Sequence, residues 1–354
     1  MLFESFLGWF SSQQPDFCSK DFPKVWGDFV TAYTDTLQAQ GRAATAQRPK
    51  APLLQTFLPA TERLIAIGDL HGDIDKARRA FRLAGLIDEH DRWSGGTTTA
   101  VQVGDQLDRG DNELQILYML ERLQEEAKVA GGALHVLTGN HETMNAEGRF
   151  RYSTPRSTEL FERWQTIEAM AAAWKAKCGC AVGSTPPALQ PGMRQVDGAV
   201  LARLNALRPG GPLAQRFLAP HPVVLQIGST VFVHGGVLPE HADYGLERIN
   251  QETADWLMGK SGDRMPDFLA GRKAVVWARE YSAEDARRCE CDTLRDALGK
   301  IPGASRMVVG HTIQDQGVNA ACDKAVYRID VGLSKGCGDG HPEVLEILND
   351  KEMC

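Results

Sequence analysis

No stretch of this chain strings together the roughly 20 apolar residues that a membrane span requires, so no transmembrane segment is expected. Basic charge is scarce as well. The 39 lysines and arginines are outnumbered by 46 acidic residues, for a net charge of −7, which repels nucleic acid rather than gathering it. An anionic substrate would therefore need a local positive site, built from bound metal and arginine. No basic residue precedes Lys20, and Glu4 interrupts the apolar start Met1–Phe10. Neither a secretory signal nor an Arg-rich presequence is expected there. Phe3, Phe6, Leu7 and Phe10 instead fall on one face of a short amphipathic helix that would dock on the domain. Internal repeats and low-complexity tails are absent too. The hydrophobic share of 43% and charged share of 24% suit a globular enzyme that buries its core without needing disulfides.

The eight cysteines are unevenly spread. Cys178 and Cys180 form one C-x-C pair, Cys289 and Cys291 another, and Cys322 and Cys337 lie nearby in the C-terminal third. Zinc sites favour two or more intervening residues, so C-x-C is a weak metal signal. Reduced thiols in a cytoplasmic protein account for the pattern. The alternative is that these six form disulfides or meet a redox or regulatory partner. The chain would then work in an oxidising compartment such as the mitochondrial intermembrane space, which can receive proteins lacking a presequence.

Gly41–Pro52, rich in Ala, Arg, Gln and Pro, reads as a linker that closes an N-terminal extension over residues 1–59. From Leu64 a rhythm begins in which an apolar run ends in Gly-Asp or Gly-Asn. Leu64–Ile67 leads to Gly68-Asp69, Ala100–Val103 to Gly104-Asp105, and His135–Thr138 to Gly139-Asn140. Helical stretches Ile74–Ala84 and Glu113–Val129 separate them, which predicts parallel βαβ units with ligands gathered beyond the strands' carboxyl ends. Residues 145–220 break the rhythm with a helix over Thr158–Lys177 and a loop over Gly179–Gly192, an insertion beside the site of the kind that sets specificity. Further strands are expected at Val223–Ile227, Val231–Val233, Ala274–Trp277, Arg306–Val309, Ala325–Ile329 and Glu343–Leu348, forming a second sheet. Residues 350–354 are read as a short tail, so the catalytic domain spans 60–349.

Hydrolysis of a phosphate monoester is served by two divalent metals about 4 Å apart that orient the phosphate and neutralise developing charge. Asp69 and His71 stand two residues apart at a strand end, where one tight turn aims both at the same ion. Asp105, ending the neighbouring strand, can bridge two ions, and Asn140, His234 and His311 can complete the second site. Each alone would also fit a turn with an Asx-type bond or a structural histidine; jointly, six ligands at five strand ends are a strong signal. Arg109, four residues past Asp105, has the planar fork that suits phosphate, and Arg279 is a second clamp, with Asn140 also facing the phosphate. His141 adjoins Asn140 and can protonate the leaving oxygen, with Asp108 orienting its imidazole.

These residues resemble the PPP-type metallophosphatases of the calcineurin-like superfamily. The signatures GDxHG, GDxxDRG and GNHE stand at 68–72, 104–110 and 139–142, and HGG at 234–236. The last histidine lies in Gly310-His-Thr where common eukaryotic members have Ala-His-Gln. The match is nearest to the bacterial-like plant and algal branch, the Shewanella-like phosphatases. Val276-Trp-Ala-Arg-Glu-Tyr, Gly310-His-Thr-Ile-Gln-Asp and Arg328-Ile-Asp-Val-Gly-Leu-Ser-Lys-Gly-Cys resemble its second plant type in particular. Residues 60–349 carry the resemblance. It implies an α/β fold in which two mixed sheets form a β-sandwich flanked by helices. It also implies two divalent metals (manganese, or iron with zinc) and direct attack by a metal-bridging hydroxide. Asp69, His71, Asp105, Asn140, His234 and His311 would be the metal ligands, His141 with Asp108 the acid pair, and Arg109 a phosphate contact.

One departure bears on substrate choice. Nothing here matches the Ser-Ala-Pro-Asn-Tyr-Cys loop that contacts toxin inhibitors in common members, so the resemblance implies toxin resistance and a different groove. Relatives in this branch include enzymes that favour phosphotyrosine, so the expected substrates are phosphoproteins bearing phosphotyrosine, phosphoserine or phosphothreonine, with a lean to tyrosine. The alternative on the same scaffold is a nucleotide or diadenosine-polyphosphate hydrolase.

Overall fold

The computed structural model describes residues 54–177 and 197–353, without the side chains of 169–177. The expected N-terminal helix, the linker at 41–52, the loop at 179–192, Cys178 and Cys180 lie outside the described residues. The chain divides into two units at Lys50 and Ala51, and the described residues all belong to the second.

Strand periodicity decides the layering. In β2 (Arg63–Ile67), Leu64 and Ala66 face one apolar cluster while Ile65 and Ile67 face another. Successive side chains of a strand point to opposite faces, so a strand that is apolar at each position from Leu64 to Ile67 must be covered on both. β2 pairs in parallel with β3 (Thr99–Gln102), which pairs in parallel with β4 (Ala133–Val136). Ile65, Ile67, Ala100 and Leu134 pack under α1 (Ile74–Leu83) and α2 (Glu113–Val129) through Ala77, Phe81, Ile116 and Leu120. The N-cap of α1 is Asp73, whose carboxylate accepts from Lys76 N at 3.1 Å.

The second sheet is built around β5 (Val224–Ile227), β6 (Thr230–Val233) and β7 (Arg306–Val309). Its Leu225, Phe232 and Val308 meet Leu64, Ala66 and Val101 between the sheets. Its Val231, Val233, Met307 and Val309 face outward into a separate helical core. That core is covered by α5 (Gly198–Leu207), α7 (Leu246–Leu257) and α8 (Cys291–Lys300), with α3 (Asn140–Ala146), α4 (Pro155–Lys177) and α6 (Pro239–Tyr244) completing the α-helices among the described residues. With β1 (Phe57–Leu58), β8 (Asn319–Ala321), β9 (Val326–Arg328), β10 (Leu345–Leu348) and β11 (Glu352–Met353), the sheet orders are β1-β5-β6-β7-β9-β8 and β11-β10-β2-β3-β4. Both sheets mix parallel and antiparallel pairs. The architecture is the expected β-sandwich of two mixed sheets flanked by helices.

Four expectations need correction. Glu343–Leu348 does not join the second sheet: β10 pairs antiparallel with β2 and so extends the first. Ala274–Trp277 is not a strand: its amides and carbonyls close turns, with Trp277 N and Ala278 N both donating to Ala274 O at 2.8 Å. The run is apolar because Val275 and Val276 are buried in the helical core, and burial, not extension, is what the composition signalled. The stretch 1–59 contributes β1, paired with β5, and 350–354 contributes β11, paired with β10, so each lends a strand to a sheet. The short hairpin strand β8 was also unforeseen, because Asn319-Ala-Ala carries no alternating apolar pattern. Among the described residues, no helix is long and apolar enough to cross a membrane.

Candidate metal centre and active site

The strands stop where the chemistry starts. Beyond β2, β3, β6 and β7 the backbone turns at once, and His71, Asp105, Asp108, Arg109 and His311 all take positive φ values between 44° and 67°. Non-glycine residues rarely adopt that region, and such strain persists where surrounding contacts over-determine it. Here they do. Leu70 N and His71 N both donate to Asp105 O at 3.0 and 2.9 Å, locking the first loop onto the second. Glu142, fully buried, accepts from the backbone of Asp105 (2.9 Å), Gln106 (2.9 Å), Leu107 (3.1 Å) and Gly139 (2.7 Å). One carboxylate thus ties the third loop to the second. Burial and then Asp105 raise its pKa to about 7, against the pull of those donors.

Six expected ligand side chains converge. His234 Nε2 lies 2.8 Å from Asn140 Oδ1, 3.2 Å from His311 Nδ1 and 3.3 Å from Asp105 Oδ2. On the other side of Asp105, Oδ2 is 3.5 Å from His71 Nε2 and 3.7 Å from His141 Nε2. Two three-residue groups therefore share one carboxylate, His71 with Asp105 and His141, and Asp105 with His234 and His311. Asp69 closes the set, 4.0 Å from His71 Nε2 and accepting from His311 N at 3.2 Å.

The donor chemistry fits divalent metal. Nδ1 of His71 faces Leu107 O at 3.1 Å and Nδ1 of His234 faces Val103 O at 3.1 Å. Each bond consumes the Nδ1 proton, which leaves Nε2 as a lone-pair donor, the outer-shell arrangement that orients metal-bound histidine. His311 Nε2 is buried with no partner among the described residues. Burial lowers His71 to about 4 and takes His311 well below the usual histidine range, the latter helped by His234 and Arg279, so both imidazoles are neutral. Burial also raises the Asp69 carboxyl, with Asp330 and Asp105 adding to it. In Asp105 burial is outweighed by His234, His141 and His71, which hold it well below the usual carboxylate range. Three buried carboxylates, Asp69, Asp105 and Asp330, at neutral imidazoles call for cations.

His141 points Nδ1 at Asp108 Oδ2, 2.6 Å away, and so presents Nε2 to the centre. Burial opposes its protonation, but Asp105 and Asp108 outweigh it and raise its pKa. Arg109, half-buried, lies with its guanidinium 4.7 Å over the Tyr152 ring, and its Nε has no partner among the described residues. Arg279 donates from Nη1 to Thr312 Oγ1 at 2.8 Å and to His311 O at 3.2 Å, which brings it to the rim of the same centre. The described cysteines do not join the site as a group. Cys291 is bonded to Cys322, Cys289 is a buried thiol donating to Tyr281 O at 3.2 Å, and Cys337 is a half-buried thiol that burial pushes up to about 12.

Several site residues escaped the sequence reading. Asp330 carried the signal already in use, an acid directly after an apolar strand, and could have been found. Arg203 stood out only as a lone charge within Ala199-Val-Leu-Ala-Arg-Leu. Tyr152 gave no signal at all.

The family model for calcineurin-like phosphoesterases matches residues 62–315, the segment that supplies every converging ligand. The chain belongs to that family. It is therefore a phosphate-ester hydrolase that depends on divalent metal. Within the family it is 47% identical over 348 residues to Shewanella-like protein phosphatase 2 of Arabidopsis thaliana, covering 96% of this chain and 89% of the relative. It is 27% identical to Shewanella-like protein phosphatase 1 of Plasmodium berghei, covering 82% and 72%. The resemblance to the Shewanella-like branch thus extends over 96% of the chain. Among solved structures, the cold-active protein-tyrosine phosphatase of a psychrophilic Shewanella shares the fold with a TM-score of 0.59 at 19% identity, covering 87% of this chain and 88% of that one.

Proposed function

We propose that this chain removes phosphate from phosphorylated proteins and prefers phosphotyrosine to phosphoserine or phosphothreonine. The observation that carries the reading is the shared carboxylate: Asp105 belongs to both ligand groups and lies beside the His141–Asp108 pair. Asp69, His71 and Asp105 would hold one ion, and Asp105, Asn140, His234 and His311 the other. Carboxylate, amide and imidazole donors suit manganese, or iron with zinc. When bound, such ions lower the pKa of water and neutralise charge on a phosphate. The protein's own groups do the rest. Arg109 and Arg279 clamp phosphate oxygens, and His141 Nε2 gives its proton to the leaving oxygen as the phosphorus–oxygen bond breaks. Tyr152, whose ring centroid is 5.2 Å from that of His141, supplies an aromatic wall beside the leaving group and favours a phenol over an alkyl alcohol.

Turnover of phosphotyrosine, phosphoserine and phosphothreonine peptides with defined metals tests this, alongside an aryl phosphodiester and a dinucleoside polyphosphate. The phosphotyrosine peptide is expected to have the highest kcat/KM. Turnover of the diester or dinucleotide alone would end the protein-phosphatase reading. The Cys291–Cys322 bond supports a second proposal, that the chain works in an oxidising compartment rather than the cytoplasm, where a thiol–disulfide partner protein could meet it.

A further inference from the structure

Beneath the acid pair lies a second charged layer that metal chemistry does not explain. Arg203, on α5 of the segment read as a specificity insertion, is 0% exposed, and all its donors are engaged. Nε donates to Asn145 Oδ1 at 2.8 Å. Nη1 donates to Glu113 Oε2 at 2.6 Å and Ser157 Oγ at 3.2 Å, and Nη2 to Glu113 Oε1 at 2.8 Å and Asp108 Oδ1 at 3.1 Å. A guanidinium has five N–H groups in a fixed fork, and these bonds use all of them. Phe150 and Phe161 close over it at 5.4 and 4.6 Å. Such a side chain cannot shift without breaking several bonds together.

We propose that Arg203 is a positioning residue for proton donation, fixing Asp108 so that its other oxygen holds His141 in the proton-donating orientation. The geometry runs in one line. Arg203 binds Asp108 Oδ1, Asn145 Nδ2 donates to Asp108 Oδ2 at 3.0 Å, and that same Oδ2 meets His141 Nδ1 at 2.6 Å. Asn145 also donates to His141 O at 2.9 Å, so backbone and ring are set by one amide that Arg203 itself orients. Glu113 completes the frame by accepting from Asp108 N. With Nδ1–H committed to Asp108, the proton on Nε2 is the one available to the leaving oxygen. After transfer the ring is neutral, still bonded to Asp108, whose charge stays paired with Arg203. α5 thus reaches into the proton donor as well as covering the helical core.

This inference rests on the phosphatase reading, and its test separates the two. Arg203→Lys keeps the charge and loses the fork. With a series of aryl phosphates, kcat is expected to fall roughly 10- to 100-fold for phenyl phosphate, as when a supporting contact is lost. It should change little for a dinitrophenyl ester, whose leaving group needs no proton, and KM should hold throughout. In a His141→Asn background the same change should cost nothing more. An equal loss across all leaving groups, or losses that multiply, would overturn the proposal. If Arg203→Lys does not fold, the pair Arg203→Met with Glu113→Gln removes one charge of each sign, and the same leaving-group dependence is read from it. A readout independent of turnover is the slowly exchanging His141 Nδ1 proton in the NMR spectrum of metal-free protein. It should be present in the wild type and lost in the variant, and its persistence there sinks the idea even if no ester is hydrolysed.

Discussion

Asp105 is the residue on which most depends, because one of its oxygens faces three imidazoles within 3.7 Å. Asp105→Asn is expected to lose metal and turnover together, read by metal analysis and a phosphotyrosine assay; a variant that kept its metals and turned over would remove the bridging role. His141 predicts the opposite split. His141→Asn should bind metal normally while kcat falls by the roughly 10²–10⁴-fold typical of lost acid catalysis, and metal loss would make it a ligand instead. A third prediction concerns His221, buried behind the third loop with its carbonyl accepting from Thr138 Oγ1 at 3.1 Å and its Nδ1 unpartnered among the described residues, whose pKa burial drives down to about 3. The unfolded chain binds this proton below about pH 6.5 while the folded one refuses it. Stability is therefore full above that pH and is lost progressively as pH falls toward 3. Between pH 7 and 5.5 the loss should be about 1 kcal/mol from this residue. Urea melts of His221→Gln should show a flatter pH dependence by that amount, and an unchanged slope would refute it.

At the scale of elements, the site is made by loops that touch one another at glycines. A Cβ on Gly139 would run into the backbone N and a carboxylate oxygen of Asp105, with Glu142 Oε2 only 2.9 Å away. Gly139→Ala should therefore cost metal binding without replacing any ligand, measurable as metal content and melting temperature. Gly299→Ala, in α8 with nothing within 4 Å, should be neutral or slightly stabilising. Wild-type metal content in Gly139→Ala would show that the loops can part. These contacts also explain what the sequence could and could not reveal. The Gly-Asp and Gly-Asn endings were legible because apolar strand, tight turn and polar ligand are local in sequence, and β2, β7 and α2 fell within a residue of their expected bounds. Glu142, Asn145 and Arg203 were not legible, because their deciding partners lie 35 to 95 residues away and only the fold brings them together. Ala274–Trp277 misled for the same reason. Its carbonyl at Val275 accepts from Gly236 N at 3.0 Å, a contact with the loop after His234 that local composition does not encode.

For the whole molecule, the Cys291–Cys322 bond is the covalent cross-link among the described residues, and it joins the start of α8 to the turn between β8 and β9. That turn is strained on its own. Cys322, Asp323 and Lys324 take φ values of 54°, 55° and 66°, three successive non-glycine residues in the left-handed region. The bond pins the strained end while closing a loop with a sequence separation of 31, which by chain entropy stabilises the fold by about 4 kcal/mol. Reductant should then lower the urea midpoint of the wild type, and the Cys291→Ala/Cys322→Ala double variant should start at the lower midpoint and ignore reductant. Cys289→Ala, which removes a buried thiol outside the bond, should leave that response to reductant intact. The expected metal ligands lie on other loops, so metal content should persist in the reduced protein even as its stability falls. Peptide mapping that found Cys291 and Cys322 as free thiols, or a midpoint unmoved by reductant, would remove the cross-link from the fold and with it the physical support for an oxidising compartment.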